Sequence, residues 1–176
     1  DVTYVKVLSQ GYKFILAKDL VSKVLGDEYT LLEEYKGTDL EYMEYEQLIP
    51  EIEIKDKAFF VTNDHYVTTD DGTGIVHIAP AFGQDDYNVG KRYNLPVVNP
   101  VGEDGKYLEG PWKGMLVFDA DIEIIKYLKN NDKLFKKLKM THNYPHCWRC
   151  DTPLIYYSKP SFYLEVTKFK DKIIEN

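Results

Sequence analysis

The sequence predicts a β-rich mixed α/β fold, and three observations support this prediction. Many short apolar or alternating stretches suit strands, three or four stretches have helical spacing, and 15 tyrosines favour strands and half-buried surfaces. The helices do not alternate with the strands as a doubly wound sheet requires. With 176 residues, 44% hydrophobic and 29% charged, the chain has the size and composition of one ordinary globular core.

The first third of the chain predicts a hairpin, a short helix and further strands. VTYVKVL alternates as a strand, Gln10-Gly11 marks a turn, and YKFILA returns as the hairpin partner. Helical spacing runs from Lys18 to Leu25, and Gly26 supplies a stop. The next strand candidates are YTLLEEYKG, LEYMEYEQLIP, EIEI and AFFVT. We interpret the acidic LEYMEYEQLIP as a half-solvated strand face rather than an acidic binding patch.

The segment 72–87, GTGIVHIAPAFGQDDY, combines a glycine turn, an apolar stretch and polar side chains. Gly72 and Gly74 permit tight turns, Ile75 and Val76 predict a buried strand, and His77 follows near the end of that strand. From spacing alone, a hairpin entry with a core histidine is favoured over a ligand pocket.

A helix is predicted from Gln84 to Tyr93, directly after the Ala79-Pro80 bend. It places Asp85 and Asp86 in the first turn, where the helix dipole favours carboxylates.

The second half of the chain predicts fewer elements. LPVVNPV reads as a buried strand closed by the turn GEDG, and residues 118–129, FDADIEIIKYLK, have one apolar face and predict a helix. KLFKKLKM is interpreted as a strand with a solvated face, and it is the only local positive patch. LIYY is strand-like, and VTKFKDKIIEN resembles the start of a helix.

Charge and hydropathy limit the partners. The formal charge of −7 gives no general attraction to a phosphate backbone, so any contact with nucleic acid would be local. No apolar run approaches the ~20 residues that span a bilayer, and the opening DVTYVKVL lacks the features of a secretory signal. We therefore expect no membrane partner and a cytoplasmic location.

Cys147 and Cys150 are the only cysteines and lie in the motif HCWRC. They leave open a redox pair, half of a zinc site or two unligated thiols. A redox pair belongs at a helix start after a strand, whereas here a proline and the strand-like LIYY follow. Structural zinc needs four ligands, and His146 could add a third only through an awkward local geometry. A complete zinc site within this chain is not expected.

Several kinds of chemistry are absent from the sequence. There is no Ser-His-Asp or Cys-His arrangement and no G-x-S-x-G motif, so water is the expected nucleophile of any hydrolysis. GTGIVH lacks a third glycine and opens a strand, so ATP chemistry is not expected here.

Four blocks resemble the editing domain of isoleucyl-tRNA synthetases, in the family's order. They are GTGIVHIAPAFGQDDY, YNVGKRYNLPVVNPVGEDGKY, GPWKGM and YPHCWRCDTPLIYYSKPSFY. The combination of HCWRC with HIAPAFGQDDY fits the isoleucyl branch better than the valyl and leucyl relatives. The resemblance implies a small closed β-barrel with peripheral helices, a core at 1–140, and a segment at 141–176 that returns toward the synthetase body.

The resemblance also implies an activity. The editing domain hydrolyses valine misattached to the 3′ end of the isoleucine tRNA, so the partners would be that tRNA and the remainder of the synthetase. No cofactor would be required within this domain, and ATP would be used by a synthetic domain elsewhere. Zinc would occur in the full-length protein, with Cys147 and Cys150 supplying half of its ligands.

Family roles transfer to matching positions of the central segment. Asp86 would be the catalytic residue, holding the α-ammonium of the misattached amino acid, and His77 would line the side-chain pocket and obstruct isoleucine. Phe82 would stack on the terminal adenine, although a core role is equally open. Thr73, Gly74 and Ile75 would supply backbone groups to the pocket floor. Asp85 and the free ribose hydroxyl remain alternatives for accepting the proton of water.

One departure from the family keeps a second function open. The editing pocket of the family also uses a threonine-rich segment of the TTTPWTLPSN type, which this chain lacks; Thr68 and Thr69 stand in a different context. The alternative is therefore a binding or structural module without turnover.

Overall fold

The structure, a computed structural model, describes residues 2–139, 141 and 143–174. Three antiparallel strands form its sheet in the order β2-β1-β3, with bounds β1 (Thr3–Ser9), β2 (Tyr12–Ala17) and β3 (Thr30–Lys36). Gln10 and Gly11 join β1 to β2 with φ angles of 50° and 84°, the left-handed conformation of a tight two-residue hairpin turn. The predicted opening hairpin is confirmed.

The central strand β1 contributes to both core clusters because both of its faces are covered. On one face, Tyr4 packs with Ala17, Leu20 and Leu40. The other face carries a second cluster that consists of Val5, Val7, Leu16 and Val21. Alternation along a strand explains why neighbouring residues of β1 enter different clusters.

The predicted helices are present. A 3-10 turn (Lys18–Leu20) leads into α1 (Val21–Leu25), and Gly26 ends it with a φ of 81°. The longer helices are α2 (Gln84–Tyr93), α3 (Val117–Asn130) and α4 (Val166–Ile174). The last two residues of the predicted C-terminal helix, 175 and 176, lie outside the described residues. No helix in the described part of the chain is long and apolar enough to cross a bilayer.

The expected closed barrel is not confirmed, because the sheet formed by the described residues is open and has β2 and β3 as its edges. Other strand candidates contribute only isolated bridges, which join Glu44 to Phe60, Val101 to Tyr107, Lys106 to Leu116 and His146 to Pro153. Apolar spacing in the sequence indicates which side chains could be buried. A strand also needs a neighbouring strand with free backbone donors and acceptors, and the spacing does not show whether one is present.

The strand predictions for LEYMEYEQLIP, EIEI, AFFVT, LPVVNPV, KLFKKLKM and LIYY are wrong over the described residues. In LPVVNPV, Pro96 and Pro100 lack the amide donor that a ladder needs, and Val97 is half exposed. KLFKKLKM lies after α3 without regular structure up to Lys139, and its last residue, Met140, falls outside the described residues.

Candidate functional site

The first part of the central segment lies against the end of β2. The Ala17 amide donates to the Thr73 carbonyl at 2.9 Å, and the Tyr4 hydroxyl donates to the Gly74 carbonyl at 2.7 Å. Gly74 is buried, has a φ of 72°, and would place a Cβ only 2.5 Å from the Cβ of Ala17. A glycine is therefore required for this close approach. Both carbonyls already accept hydrogen bonds inside the chain.

The next three side chains face solvent. Ile75 and Val76 are 48% and 46% exposed, and His77 is also exposed, so the predicted buried strand and core histidine are wrong. The Thr73 hydroxyl donates to the Ile75 carbonyl at 3.2 Å and accepts from the Ile75 amide at 3.4 Å. This local pairing turns the backbone and explains why two apolar residues do not continue as a strand.

Asp86 lies half-buried in the first turn of α2, whereas its neighbour Asp85 is exposed. One carboxylate oxygen of Asp86 accepts from the Ala79 amide at 3.3 Å, and the other accepts from the Tyr66 hydroxyl at 3.4 Å. Both distances exceed the ~2.7–2.9 Å of a charge-assisted hydrogen bond, so the carboxylate keeps capacity for a stronger, cationic donor. The helix N-terminus favours its negative charge.

Two glycines allow the loop before α2 to fold onto the helix. A Cβ at Gly83 would lie 2.7 Å from Oδ2 of Asp86, and a Cβ at Gly90 would lie 2.9 Å from Cγ of Pro80. Directly before Gly83, the amide of Phe82 donates to the Ala79 carbonyl at 2.9 Å, and the Phe82 ring is half-buried. The bend is therefore held over the start of α2. It brings the backbone amide of Ala79, two residues after His77, to the carboxylate of Asp86.

Tyr66 is a site residue that the sequence did not reveal. Burial raises the pKa of its phenol, and the negative charge and hydrogen bond of Asp86 raise it further. The phenol therefore stays protonated at neutral pH and donates a hydrogen bond to Asp86. The two residues are 20 positions apart and belong to different segments, so no motif or spacing connects them.

A cleft of about 370 Å³ lies at the opposite end of α2 and is lined by Tyr42, Phe60 and Tyr93, among others. None of the predicted site residues lines it. Tyr93 follows Asp86 by seven helical residues, which is roughly 10 Å along the axis. The candidate site is instead the surface formed by the 72–82 loop and the first turn of α2.

The two cysteines lie in a tight turn near the C-terminal end. The Cys147 amide donates to the Thr152 carbonyl, and the Asp151 amide donates to the Cys147 carbonyl, both at 2.8 Å. The Sγ atom of Cys150 is 3.1 Å from the Thr152 hydroxyl. Hydrogen bonding from Thr152, with a smaller contribution from Cys147, lowers the pKa of the Cys150 thiol. Both thiols are free, and Cys150 is exposed.

The two thiols at this turn could supply two of the four ligands that a structural zinc ion needs. The neighbouring His146 has its Nδ1 2.9 Å from the Tyr144 carbonyl oxygen. Among the residues that the structure describes, no group of three or more His, Cys, Asp or Glu side chains is placed to hold a metal ion. By number and type of ligand, the cysteine pair fits half of such a site.

Segment 141–174 contacts the earlier part of the chain at several points. The Ser158 amide donates to the Ala81 carbonyl at 3.0 Å, directly beside the candidate site. The Tyr157 hydroxyl donates to the Val101 carbonyl at 3.1 Å. The predicted division at residues 140 and 141 remains a prediction.

The chain is similar to isoleucine–tRNA ligases along nearly all of its length. It is 52% identical to that of Clostridium novyi over 98% of the chain, 45% identical to that of Picrophilus torridus over the whole chain, and 41% identical to that of Methanocaldococcus jannaschii over the whole chain. No protein-family model matches. The chain spans only 17 to 19% of the length of these relatives. This similarity places the chain in the isoleucine–tRNA ligase family, as the counterpart of one part of those proteins.

Proposed function

We propose that this chain is an editing region of an isoleucine–tRNA ligase, which hydrolyses valine from the tRNA specific for isoleucine. The observation that carries the proposal is the half-buried carboxylate of Asp86, held by two long hydrogen bonds at a helix N-terminus. The partners are then the 3′ end of the tRNA and the rest of the ligase, in the cytoplasm.

A separate hydrolytic site is needed because selective binding alone does not discriminate well enough between valine and isoleucine. Valine differs from isoleucine by one methylene, from which a hydrophobic pocket gains only ~1–3 kcal/mol; isoleucyl-tRNA synthetase is itself the standard illustration of this limit. Hydrolysis at a second site that admits valine and excludes isoleucine raises the total discrimination.

In this proposal Asp86 binds the α-ammonium of the valyl group. The Ala79 amide and the Tyr66 hydroxyl hold the carboxylate from two directions, which fixes its orientation before the substrate arrives. An ammonium at ~2.7–2.9 Å would be a stronger donor than either group. Fixing the ammonium positions the ester carbonyl, and such positioning can supply much of the rate acceleration.

His77 and Phe82 flank this anchor. His77 is exposed two residues before Ala79, a position from which its ring would obstruct a longer side chain. Phe82, half-buried in the bend, would offer a face to the terminal adenine, a contact worth ~1–3 kcal/mol in other systems. Thr73, Gly74 and Ile75 form the floor of the pocket with their backbone, which runs against the end of β2.

Water is the attacking group, since the sequence has no Ser-His-Asp or Cys-His arrangement and no G-x-S-x-G motif that would activate a side chain against an ester. Asp85 is exposed beside Asp86 and accepts the proton of water, or the free ribose hydroxyl of the substrate does so. Neither route needs a cofactor at this site. ATP would be used by another part of the ligase. Cys147 and Cys150 would bind zinc together with ligands from elsewhere in the longer protein.

The test compares two first-turn carboxylates within a full-length isoleucine–tRNA ligase in which this chain occupies the matching region. Asp86→Ala is expected to abolish hydrolysis of valyl-tRNA. Asp119→Ala, at the start of α3, removes the same dipole interaction, worth ~0.3–1 kcal/mol, and should leave hydrolysis unchanged. Full hydrolysis by a folded Asp86→Ala variant would remove Asp86 from the site and contradict the proposal.

A further inference from the structure

The largest concentration of positive charge in the sequence lies in residues 126–139, which we call the lysine segment. It contains six lysines and one aspartate, a formal charge of +5. The whole chain carries −7, so all the other residues together carry −12. A concentration of positive charge within an acidic protein creates a local field that differs in sign from that of the remaining surface.

Most of this charge is uncompensated. Lys126 pairs with Glu123 at 2.7 Å, and the Nζ atom of Lys133 donates to the Leu48 carbonyl at 3.1 Å. The ammonium groups of the other four lysines have no hydrogen bond or ion pair with any residue that the structure describes, and these lysines are exposed; they are Lys129, Lys136, Lys137 and Lys139.

The helix dipole accounts for only part of the segment. Lys126 and Lys129 lie near the C-terminal end of α3, where cations are favourable. The dipole effect falls off within the last turn, so it offers no reason for Lys136, Lys137 and Lys139 beyond the helix.

The lysine segment packs against the folded core through Phe135. The Phe135 ring packs edge-on against Phe14 of β2, with ring centroids 5.2 Å apart. The same strand ends at Ala17, whose amide binds the Thr73 carbonyl of the candidate site. Phe14 and Ala17 are three residues apart, roughly 10 Å along the strand, on its opposite faces. The lysine segment and the 72–82 loop therefore contact the same strand at neighbouring points.

We propose that the lysine segment binds the phosphate backbone of the tRNA. The inference rests on the proposed function for the identity of the polyanion. Exposed lysines suit this partner because each phosphate contact releases counterions and needs no specific geometry. Phe135 and Leu138 remain 54% and 74% exposed between the lysines, which leaves apolar surface for a base or ribose.

The test measures binding of uncharged tRNA to the full-length ligase that carries this chain, by fluorescence anisotropy at a series of salt concentrations. The variant is K136Q/K137Q/K139Q. The matched control, K168Q/K170Q/K172Q, removes three exposed lysines from α4. Each lost phosphate contact lowers the slope of log K against log salt by about 1, so the variant should lose about 2–3 from this slope and bind more weakly. The control should keep both values.

An arginine triple at the same three positions should retain the slope, because it preserves the charges. Unchanged tRNA affinity and slope in the folded glutamine variant would overturn the inference, as would an equal loss in the α4 control. Lysine-dependent binding to anionic vesicles without any effect on tRNA would also overturn it. Because this assay uses uncharged tRNA, a loss of binding supports the lysine segment even if the hydrolysis proposed above fails.

Discussion

The Tyr66 hydroxyl donates a 3.4 Å hydrogen bond to the carboxylate of Asp86, which lies 20 residues further along the chain. Together with the Ala79 amide, it gives this carboxylate one partner on each oxygen. The arrangement leaves an acidic group half-buried without a cationic partner among the described residues. An ammonium is the ligand that would complete it.

Tyr66→Phe tests the orienting contact. Removing the hydroxyl should weaken binding of the transition state by about 0.5–1.5 kcal/mol. This loss corresponds to a roughly 2–10-fold lower kcat/KM for valyl-tRNA hydrolysis. The ring remains, so the melting temperature should change little. Steady-state kinetics and a thermal melt measure both quantities. An unchanged kcat/KM would mean that Tyr66 does not orient Asp86.

Gly74→Ala should destabilise the fold by about 1–3 kcal/mol, since the new Cβ would meet the Cβ of Ala17 at 2.5 Å and the backbone has a φ of 72°. Gly72→Ala is the matched control. Gly72 has a similar φ of 66° but nothing within 4 Å of an added Cβ. Urea unfolding should show the larger loss for Gly74→Ala. Equal losses would attribute the effect to backbone strain alone.

His77→Ala should enlarge the pocket and permit hydrolysis of the correctly charged isoleucyl-tRNA, while valyl-tRNA remains a substrate. His65→Ala removes another exposed histidine outside the central segment and should spare isoleucyl-tRNA. Deacylation of both esters is followed for each variant. A His77→Ala enzyme that is active on the valyl ester and still spares the isoleucyl ester would refute the steric role.

The 176-residue chain alone should not retain one zinc ion per molecule. Cys147 and Cys150 fill half of a tetrahedron, and the described residues contain no metal-binding group of three or more ligands. Metal analysis after dialysis measures the zinc content. One tightly held zinc per chain would show that the remaining ligands come from within the chain.

Local signals predicted the hairpin and helices, and tertiary partners account for the errors. Gly11 and Gly26 adopt the positive φ angles that glycine permits, and α2 begins at Gln84 as its pattern indicated. The central apolar pair, Ile75 and Val76, was misread because apolar residues specify burial only when a partner surface exists. The first-turn position of Asp86 followed from the helix start.

Other parts of the candidate site could not be read from the sequence. The contact of Tyr66 with Asp86 joins two segments with no shared periodicity, and the approach of Gly74 to Ala17 depends on how a loop meets a strand end. The two glycines, Gly72 and Gly74, predicted a close approach of the backbone, but the sequence did not indicate that the contact would be with Ala17.

The most direct test of an editing role is the relative rate at which valyl-tRNA and isoleucyl-tRNA, both on the isoleucine tRNA, are hydrolysed by a ligase that carries this chain. A pocket that admits valine and excludes one further methylene predicts that the valyl ester is hydrolysed at least about 10-fold faster. This preference should disappear with Asp86→Ala, because neither ester is then held. Equal hydrolysis of the two esters by the unmodified enzyme, or none of either, would contradict the account.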